Sequence, residues 1–427
     1  MRTLPDHPLR YAMVNELHAR PFPALTTPCQ VVYFAIKEPN DARKRDRDRD
    51  RAHLTTLLDQ FGVNHPEARA THFEASLGKT ELKWESHTEF VTYSAFTPGL
   101  DAKPFDQAGA AVLPPDWLAR APGQTLVAMM IRVEELPEDE EKILPILLDC
   151  FVPESLAVSY VLDGAAVVAG DFRIDAAGFM RILVFVRKKT GPRRVGRIVQ
   201  RLCELETYRA ASMLGLPRAW ELSGELNALD PRLSALVSGL DERGESAEKV
   251  LHELLSIAGQ LERLAVQASF RLPATAAYEA IVNQRISVLR ETRFQGRQTF
   301  AEFMMRRYDP AMRTVRATEA RLTSMADRAE RAAELLRTRV DVERSAQNQQ
   351  ILQSMDTRAD TSLRLQHTVE GLSVIAISYY VLELMAYLTA PLADAWHLPK
   401  VWLMAGSVPV VLVLVWAGIR RLKPPLR

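Results

Sequence analysis

Two apolar runs near the C-terminus constrain this chain more than any other feature. Leu372–Ala390 and Val401–Ile419 are each 19 residues long, and a helix of roughly 20 apolar residues crosses a hydrocarbon layer of about 30 Å. The second run is broken only by Ser407 and Pro409. The first is more polar, with Ser373, Ser378, Tyr379, Tyr380, Glu383, Tyr387 and Thr389. A short loop, residues 391–400 (PLADAWHLPK), joins them, and Trp396, Trp402 and Trp416 stand where interfacial aromatics stand. Arg358 and Arg364 precede the first run, Arg420, Arg421, Lys423 and Arg427 follow the second, and the loop has only Lys400. This asymmetry predicts a transmembrane helical hairpin with both termini in the cytoplasm.

The segment before the hairpin predicts a long stalk. No Gly or Pro occurs between Pro310 and Gly371, room for roughly 90 Å of helix at 1.5 Å per residue. Val315, Leu322, Met325, Ala329, Ala333, Leu336, Val340, Ile351, Met355, Leu365 and Val369 recur at spacings of three, four and seven, the pattern of a packed helix face. The stripe is interrupted near Gln347–Gln350 and Arg358, so the expectation is a loose coiled coil. Upstream, Pro192–Leu214 reads as a helix stopped by Gly215 and Pro217. Asp230-Pro231 and Asp309-Pro310 each offer an N-cap followed by Pro at a first helical position. Further helices are expected over about 245–271, and from Pro273 to Tyr308.

Residues 1–190 read as mixed α/β. Gln30–Lys37, Thr80–Phe96, Thr125–Val133, Leu156–Leu162, Ala165–Arg173 and Phe179–Arg187 carry strand signals, and Asp41–Gln60 reads as helix. Asp163-Gly164 is a hairpin signal, so antiparallel pairing is expected. The expected organisation is an α+β cytosolic domain (1–190), a helical stalk (191–370), and the membrane hairpin with a short tail (371–427).

Composition removes several function classes. Charged residues are 25% of the chain and the net charge is +1, so no bulk charge points to nucleic acid. Three scattered cysteines (Cys29, Cys150, Cys203) without a CxxC predict neither a disulfide framework nor a zinc site. The N-terminus, MRTLPDHPLRY, has no apolar core, so no signal peptide is expected. There is no phosphate-binding glycine loop, no dinucleotide fingerprint, no HExxH and no GxSxG. No cofactor and no enzymatic activity are expected.

Several groups remain as candidates. Ser373, Tyr380, Glu383 and Tyr387 fall on one face of the first membrane helix. An ionisable residue there predicts a functional face or a helix–helix contact, and either needs a partner helix. Self-association follows as an expectation. Near the N-terminus, His7, Arg10, Glu16, His18 and Arg20 form either a ligand site or a structural arm before the first strand. The spacing of Glu16 and His18 is poor for joint metal ligation. Arg201 with Glu204, and Glu206 with Arg209, are expected as structural ion pairs along one helix. The charge run RKRDRDRDR at 43–51 predicts weak surface pairs.

Three stretches carry a family resemblance: HPLRYAMVNELHARPF (7–22), GRIVQRLCELETYRAASMLGLP (196–217) and VEGLSVIAISYYVLELMAYL (369–388). Together they resemble a bacterial family of predicted membrane-anchored proteins with no assigned function. The resemblance implies an inner-membrane protein and no particular reaction. In architecture the chain is also similar to CorA-type cation channels, which are pentamers whose first membrane helix lines the pore. Their Gly-Met-Asn signature is replaced here by the loop PLADAWHLPK. The stalk, the missing catalytic motifs and the loop lead to the expectation of a non-enzymatic, membrane-anchored homo-oligomer, a scaffold or sensor whose cytosolic domain binds a ligand or partner. The second likeness implies an ion channel.

Overall fold

The computed structural model describes residues 4–18, 21–39, 45–106, 112–239, 247–395 and 400–421. The chain runs α1 (Arg10–His18), β1 (Cys29–Lys37), α2 (Arg47–Phe61), β2 (His72–Leu77), β3 (Thr80–Ser86), β4 (Phe90–Pro98), α3 (Pro115–Leu118), β5 (Gln124–Glu135) and α4 (Ile143–Cys150). It continues through β6 (Ala157–Val161), β7 (Ala166–Ile174), β8 (Met180–Val186), α5 (Pro192–Met213), α6 (Gly215–Ser238), α7 (Ala247–Ala268) and α8 (Arg271–Leu289). It ends with β9 (Thr292–Arg293), α9 (Phe300–Arg307), α10 (Asp309–Ala395) and α11 (Lys400–Arg421).

The strands form one sheet among the described residues, in the order β2-β3-β4-β1-β5-β8-β7-β6-β9. Neighbours are antiparallel except β5 and β8. Period-two alternation gives the sheet two unlike faces. On one face Val32, Phe34, Trp84 and Tyr93 pack with Leu54, Leu57 and Leu58 of α2 and Trp117 of α3. Farther along it, Leu183 and Phe185 pack with Ile143 and Leu147 of α4. The other face of β1, β3 and β4 carries Tyr33, Lys83, Glu85 and Ser94, and α5 covers it. The register sets Tyr33 against Ser94 and Lys83 against Ser94 across the two neighbouring pairs.

Local chemistry fixes the covering helices. Asp46 caps α2 by accepting from the Asp48 and Arg49 amides, and Gly62 closes it at φ 63°, a left-handed value that costs glycine nothing. His53 of α2 stacks on Trp117 with ring centroids 4.0 Å apart. Its Nε2 donates to the Trp117 carbonyl at 2.9 Å, and the Trp117 indole donates to the His53 carbonyl at 2.9 Å. This reciprocal pair ties α2 to α3. α5 buries Val195, Ile198, Val199, Leu202 and Leu205 on one stripe.

The mixed α+β N-terminal region and the long C-terminal helix match expectation. Three local readings change. Asp230-Pro231 starts no helix: Pro231 lies inside α6, and Asp230 instead binds Arg321 at 3.0 Å and also Arg328, both from α10. The helix runs through Pro231 although proline removes a helical hydrogen bond there. The helix after Pro273 stops at Leu289, where Arg290 turns left-handed at φ 49°. Strand β9 and the Thr299–Glu302 capping box of α9 then intervene before Tyr308. In the charge run, Arg45 and Asp50 form a buried pair at 2.5 Å rather than a surface one, because Arg45 also donates to the Ser86 hydroxyl at 3.3 Å on the sheet. Arg51 and Asp48 pair on the surface as expected.

The chain divides into two compact units. The first, Met1–Glu242 with His252–Ala332, holds the sheet and most of its helices. The second, Arg243–Leu251 with Ala333–Arg427, holds the rest of α10 and α11. Among the described residues one helix, Asp309–Leu388, is long and apolar enough to cross a membrane, and 6% of its most apolar window is buried. The apolar part of α11, Met404–Gly418, is shorter. Arg20, Trp396, Lys423 and Arg427 lie outside the described residues.

Candidate ligand-binding site

A cavity of about 290 Å³ opens between the polar sheet face and α5. Strand alternation creates its floor. In β3, Leu82 and Trp84 point into the apolar core, so Lys83 and Glu85 point the other way. Helix α5 then covers them, leaving two charged side chains in the interior. Such charges persist only when partnered.

Lys83 is fully partnered. Its Nζ donates to the Pro21 carbonyl at 3.1 Å and to Gln200 Oε1 at 3.1 Å, and stands 3.3 Å from Glu85 Oε1. The two hydrogen bonds and the ion pair hold the ammonium in place. Tyr33 reaches across to Thr207 Oγ1 at 2.7 Å. Thr207 in turn donates to the Cys203 carbonyl at 2.8 Å, so the Tyr33 hydroxyl is the donor of the first bond. Burial raises the pKa of Tyr33 and of the Cys203 thiol well above their ordinary values. Both therefore line the cavity as neutral groups, and a thiol so protonated is a weak nucleophile.

The mouth is built from the helices. Glu204 of α5 accepts from Gln200 Nε2 at 2.9 Å and from Arg285 Nε of α8. Phe22 and Phe90 add aromatic walls. The arm that brings Phe22 here is held by contact with Gly196. A Cβ at Gly196 would stand 1.7 Å from the Pro23 carbonyl oxygen, so only glycine admits the arm. The Leu25 amide also donates to the Pro192 carbonyl at 3.1 Å.

Beside the cavity sits a second buried ionic cluster. Glu89, 2% exposed, accepts from Arg271 at 2.5 Å and from the Tyr278 hydroxyl at 2.9 Å, with Lys37 at 3.8 Å. Burial lowers the pKa of Lys37, and Glu89 opposes that shift.

The residues singled out by sequence reading fall in three places. His7 is exposed, its Nδ1 accepting from the Leu9 amide at 3.2 Å, and Arg10 pairs with Asp6. Glu16 and His18 belong to α1. Arg20 lies outside the described residues; the described part of the N-terminal segment that reaches the cavity is Pro21–Pro23. Glu206 and Arg209 pair within α5. Arg201 donates to the Val288 carbonyl at 3.0 Å, while Glu204 takes Arg285. Ser373 is half-buried on α10, where its hydroxyl donates to the Val369 carbonyl at 2.8 Å, and Tyr380, Glu383 and Tyr387 are exposed.

Lys83, Glu85, Tyr33, Gln200 and Arg285 escaped the sequence reading. The alternation of charge and large apolar residues in TELKWES carries the signal for the first two, but not the helix that buries them. Among the described residues no group of three or more His, Cys, Asp or Glu is placed to hold a metal ion.

Proteins described as "Protein of unknown function (DUF3422)" share a family pattern that matches residues 5–426. The chain belongs to this family. No curated protein and no solved structure matches it. Within this DUF3422 chain, two of the three stretches that carried the resemblance meet at the cavity. The first ends in Phe22, and the second contributes Gln200, Cys203, Glu204 and Thr207.

Proposed function

We propose that this chain is a bacterial inner-membrane protein, anchored by α10 and α11 with both termini cytoplasmic, that assembles with copies of itself and senses a small ligand in the cavity of its sheet domain. It acts as a sensor or scaffold, without catalysing a reaction. The observation that carries the membrane reading is the exposure of the apolar run on α10. Leu372, Ile375, Leu384 and Leu388 are each more than 60% exposed. On α11, Val401, Trp402, Val413 and Leu414 are exposed as well. Contiguous apolar surface of this kind needs lipid or protein cover. Lipid supports the span length, and protein cover supports self-association.

Membrane fractionation with carbonate extraction tests the anchor. The full chain is expected to stay in the pellet, and cross-linking in the membrane is expected to give multimers. Release by carbonate as a monomer would overturn the reading. A second reading, a CorA-like channel, rests on the exposed stripe of Tyr380, Glu383 and Tyr387. It requires copies whose first membrane helices face one another, in a pentamer by analogy. Ion flux in liposomes that Glu383→Ala abolishes would favour it, and absence of flux would remove it.

A further inference from the structure

The cavity is a dipole for hydrogen bonding, and its polarity selects a ligand. On the sheet side the Glu85 carboxylate and the Tyr33 hydroxyl oxygen have accepting capacity left. Lys83 gives two hydrogen bonds, to Pro21 and Gln200, and its charge is paired with Glu85. Glu85 Oε1 lies 3.3 Å from Lys83 Nζ, and the Glu85 side chain is 12% exposed. The Tyr33 hydroxyl has given its proton to Thr207, so its oxygen is also open to accept.

At the mouth the capacity left is of the opposite kind. Arg285 commits Nε to Glu204 and aims Nη1 at Gln284 Oε1 at 3.5 Å. Its Nη2 has no protein partner among the described residues, and the side chain is 27% exposed. Arg201 stands close by, tied to the α8 carbonyl of Val288. Arg197 lies one turn before it on α5 and is exposed. The pKa of Arg201 is lowered by burial and by the guanidinium groups of Arg197 and Arg285. Of these three guanidinium groups, Arg285 lines the cavity itself.

Phe22, Phe90 and Phe96 also line the cavity. The cavity holds two acids (Glu85, Glu204) and two bases (Lys83, Arg285), so it is neutral as a whole. A ligand with one net charge would leave that charge uncompensated in a largely enclosed space, which is costly. A ligand carrying both charges keeps the balance. A volume of about 290 Å³ is at the lower end of small-molecule sites. It suits a metabolite of amino-acid size and is too small for a dinucleotide.

We infer that the cavity binds a small zwitterion of the amino-acid class, with its ammonium inward on Glu85 and the Tyr33 oxygen, its carboxylate outward on Arg285, and its apolar part against Phe22 and Phe90. This rests on the reading of the cavity as the sensor's ligand site.

The test uses the full chain in neutral detergent. Thermal shift is measured with each of the twenty free amino acids. Calorimetry then compares L-phenylalanine with phenethylamine, which lacks the carboxylate, with 3-phenylpropionate, which lacks the amine, and with benzyl alcohol. At least one amino acid is expected to bind saturably. Removing either charge from the matching framework is expected to weaken binding at least tenfold. Glu85→Gln should weaken the amine-bearing probes and leave the carboxylate-only probe unchanged. Arg285→Ala should do the reverse. If a variant fails to fold, the comparison of probes on the unaltered protein decides alone. Saturable binding of the carboxylate or the neutral probe in preference to every zwitterion, lost in Phe22→Ala, would keep the site and overturn the inference. Binding by none of the probes would overturn the inference and the ligand-site reading together, leaving the membrane anchor to its own fractionation test.

Discussion

A single methyl group at Gly196 tests how the N-terminal arm is held. In a helix interior, Gly→Ala normally stabilises by about 0.5–1 kcal/mol through backbone entropy and propensity. At Gly196 the new Cβ would sit 1.7 Å from the Pro23 oxygen and 2.7 Å from its carbonyl carbon. An ordinary C···O contact is about 3.3 Å, so the arm must retreat by roughly 1.6 Å. That displacement breaks the Leu25–Pro192 backbone bond at 3.1 Å and the Lys83–Pro21 bond at 3.1 Å. Net losses of about 0.5–1.5 kcal/mol for the neutral bond and 1.5–3 for the charged one, set against the propensity gain, leave Gly196→Ala destabilised by about 1–4 kcal/mol. Gly224 in α6 is the control, since nothing lies within 4 Å of its added Cβ. Gly224→Ala is expected to stabilise by about 0.5–1 kcal/mol. Urea unfolding of the full chain in detergent, read by the fluorescence of the buried Trp84 and Trp117, gives both values from the midpoints. If both substitutions stabilise equally, the arm does not rest on α5 and the cavity wall is drawn wrongly.

Glu89→Ala should cost about 3–5 kcal/mol in a thermal or urea melt, because it leaves Arg271 and Lys37 buried without their acid; a loss below about 1 kcal/mol would mean that water reaches the cluster. His53 has its pKa lowered by burial, so the unfolded chain binds the extra proton first. Stability should therefore fall as pH drops from 7 through the ordinary histidine value of about 6.5, and His53→Gln should flatten that part of a stability-versus-pH curve. Arg321 and Arg328 hold the Asp230 carboxyl below its ordinary pKa, so its contribution is present at neutral pH and is lost as pH falls through the folded value. Asp230→Asn should cost less than about 1 kcal/mol for this half-exposed pair, with the difference from the unaltered protein shrinking as pH falls through the folded value when both are melted in parallel.

Much of the fold was legible because its signals are local. Gln30–Lys37 and Phe179–Arg187 read as strands from composition and length, and they appear as β1 and β8 within a residue or two. Asp309-Pro310 predicts a helix start, and α10 starts there. Asp230-Pro231 carries the same two letters and starts nothing, because Asp230 is claimed by arginines about 90 residues away in sequence. Strand β2 was missed, since its half-exposed residues HFEASL give little apolar pattern. The cavity was out of reach for the same reason as Asp230. Its groups come from β1, β3, α5 and α8, and no window of sequence contains them together.

By itself the sequence determined where the chain is uninterrupted helix, where it alternates as strand, and where apolar runs approach membrane length. Those properties depend on residues within a few positions of one another. Only the tertiary structure decided which alternating face is covered. Laying α5 over β3 turned Lys83 and Glu85 from surface charges into the floor of a cavity, and Gly196 into the point where the arm enters. The physical reason is desolvation: the same side chains are unremarkable in water and must find partners once a helix excludes it.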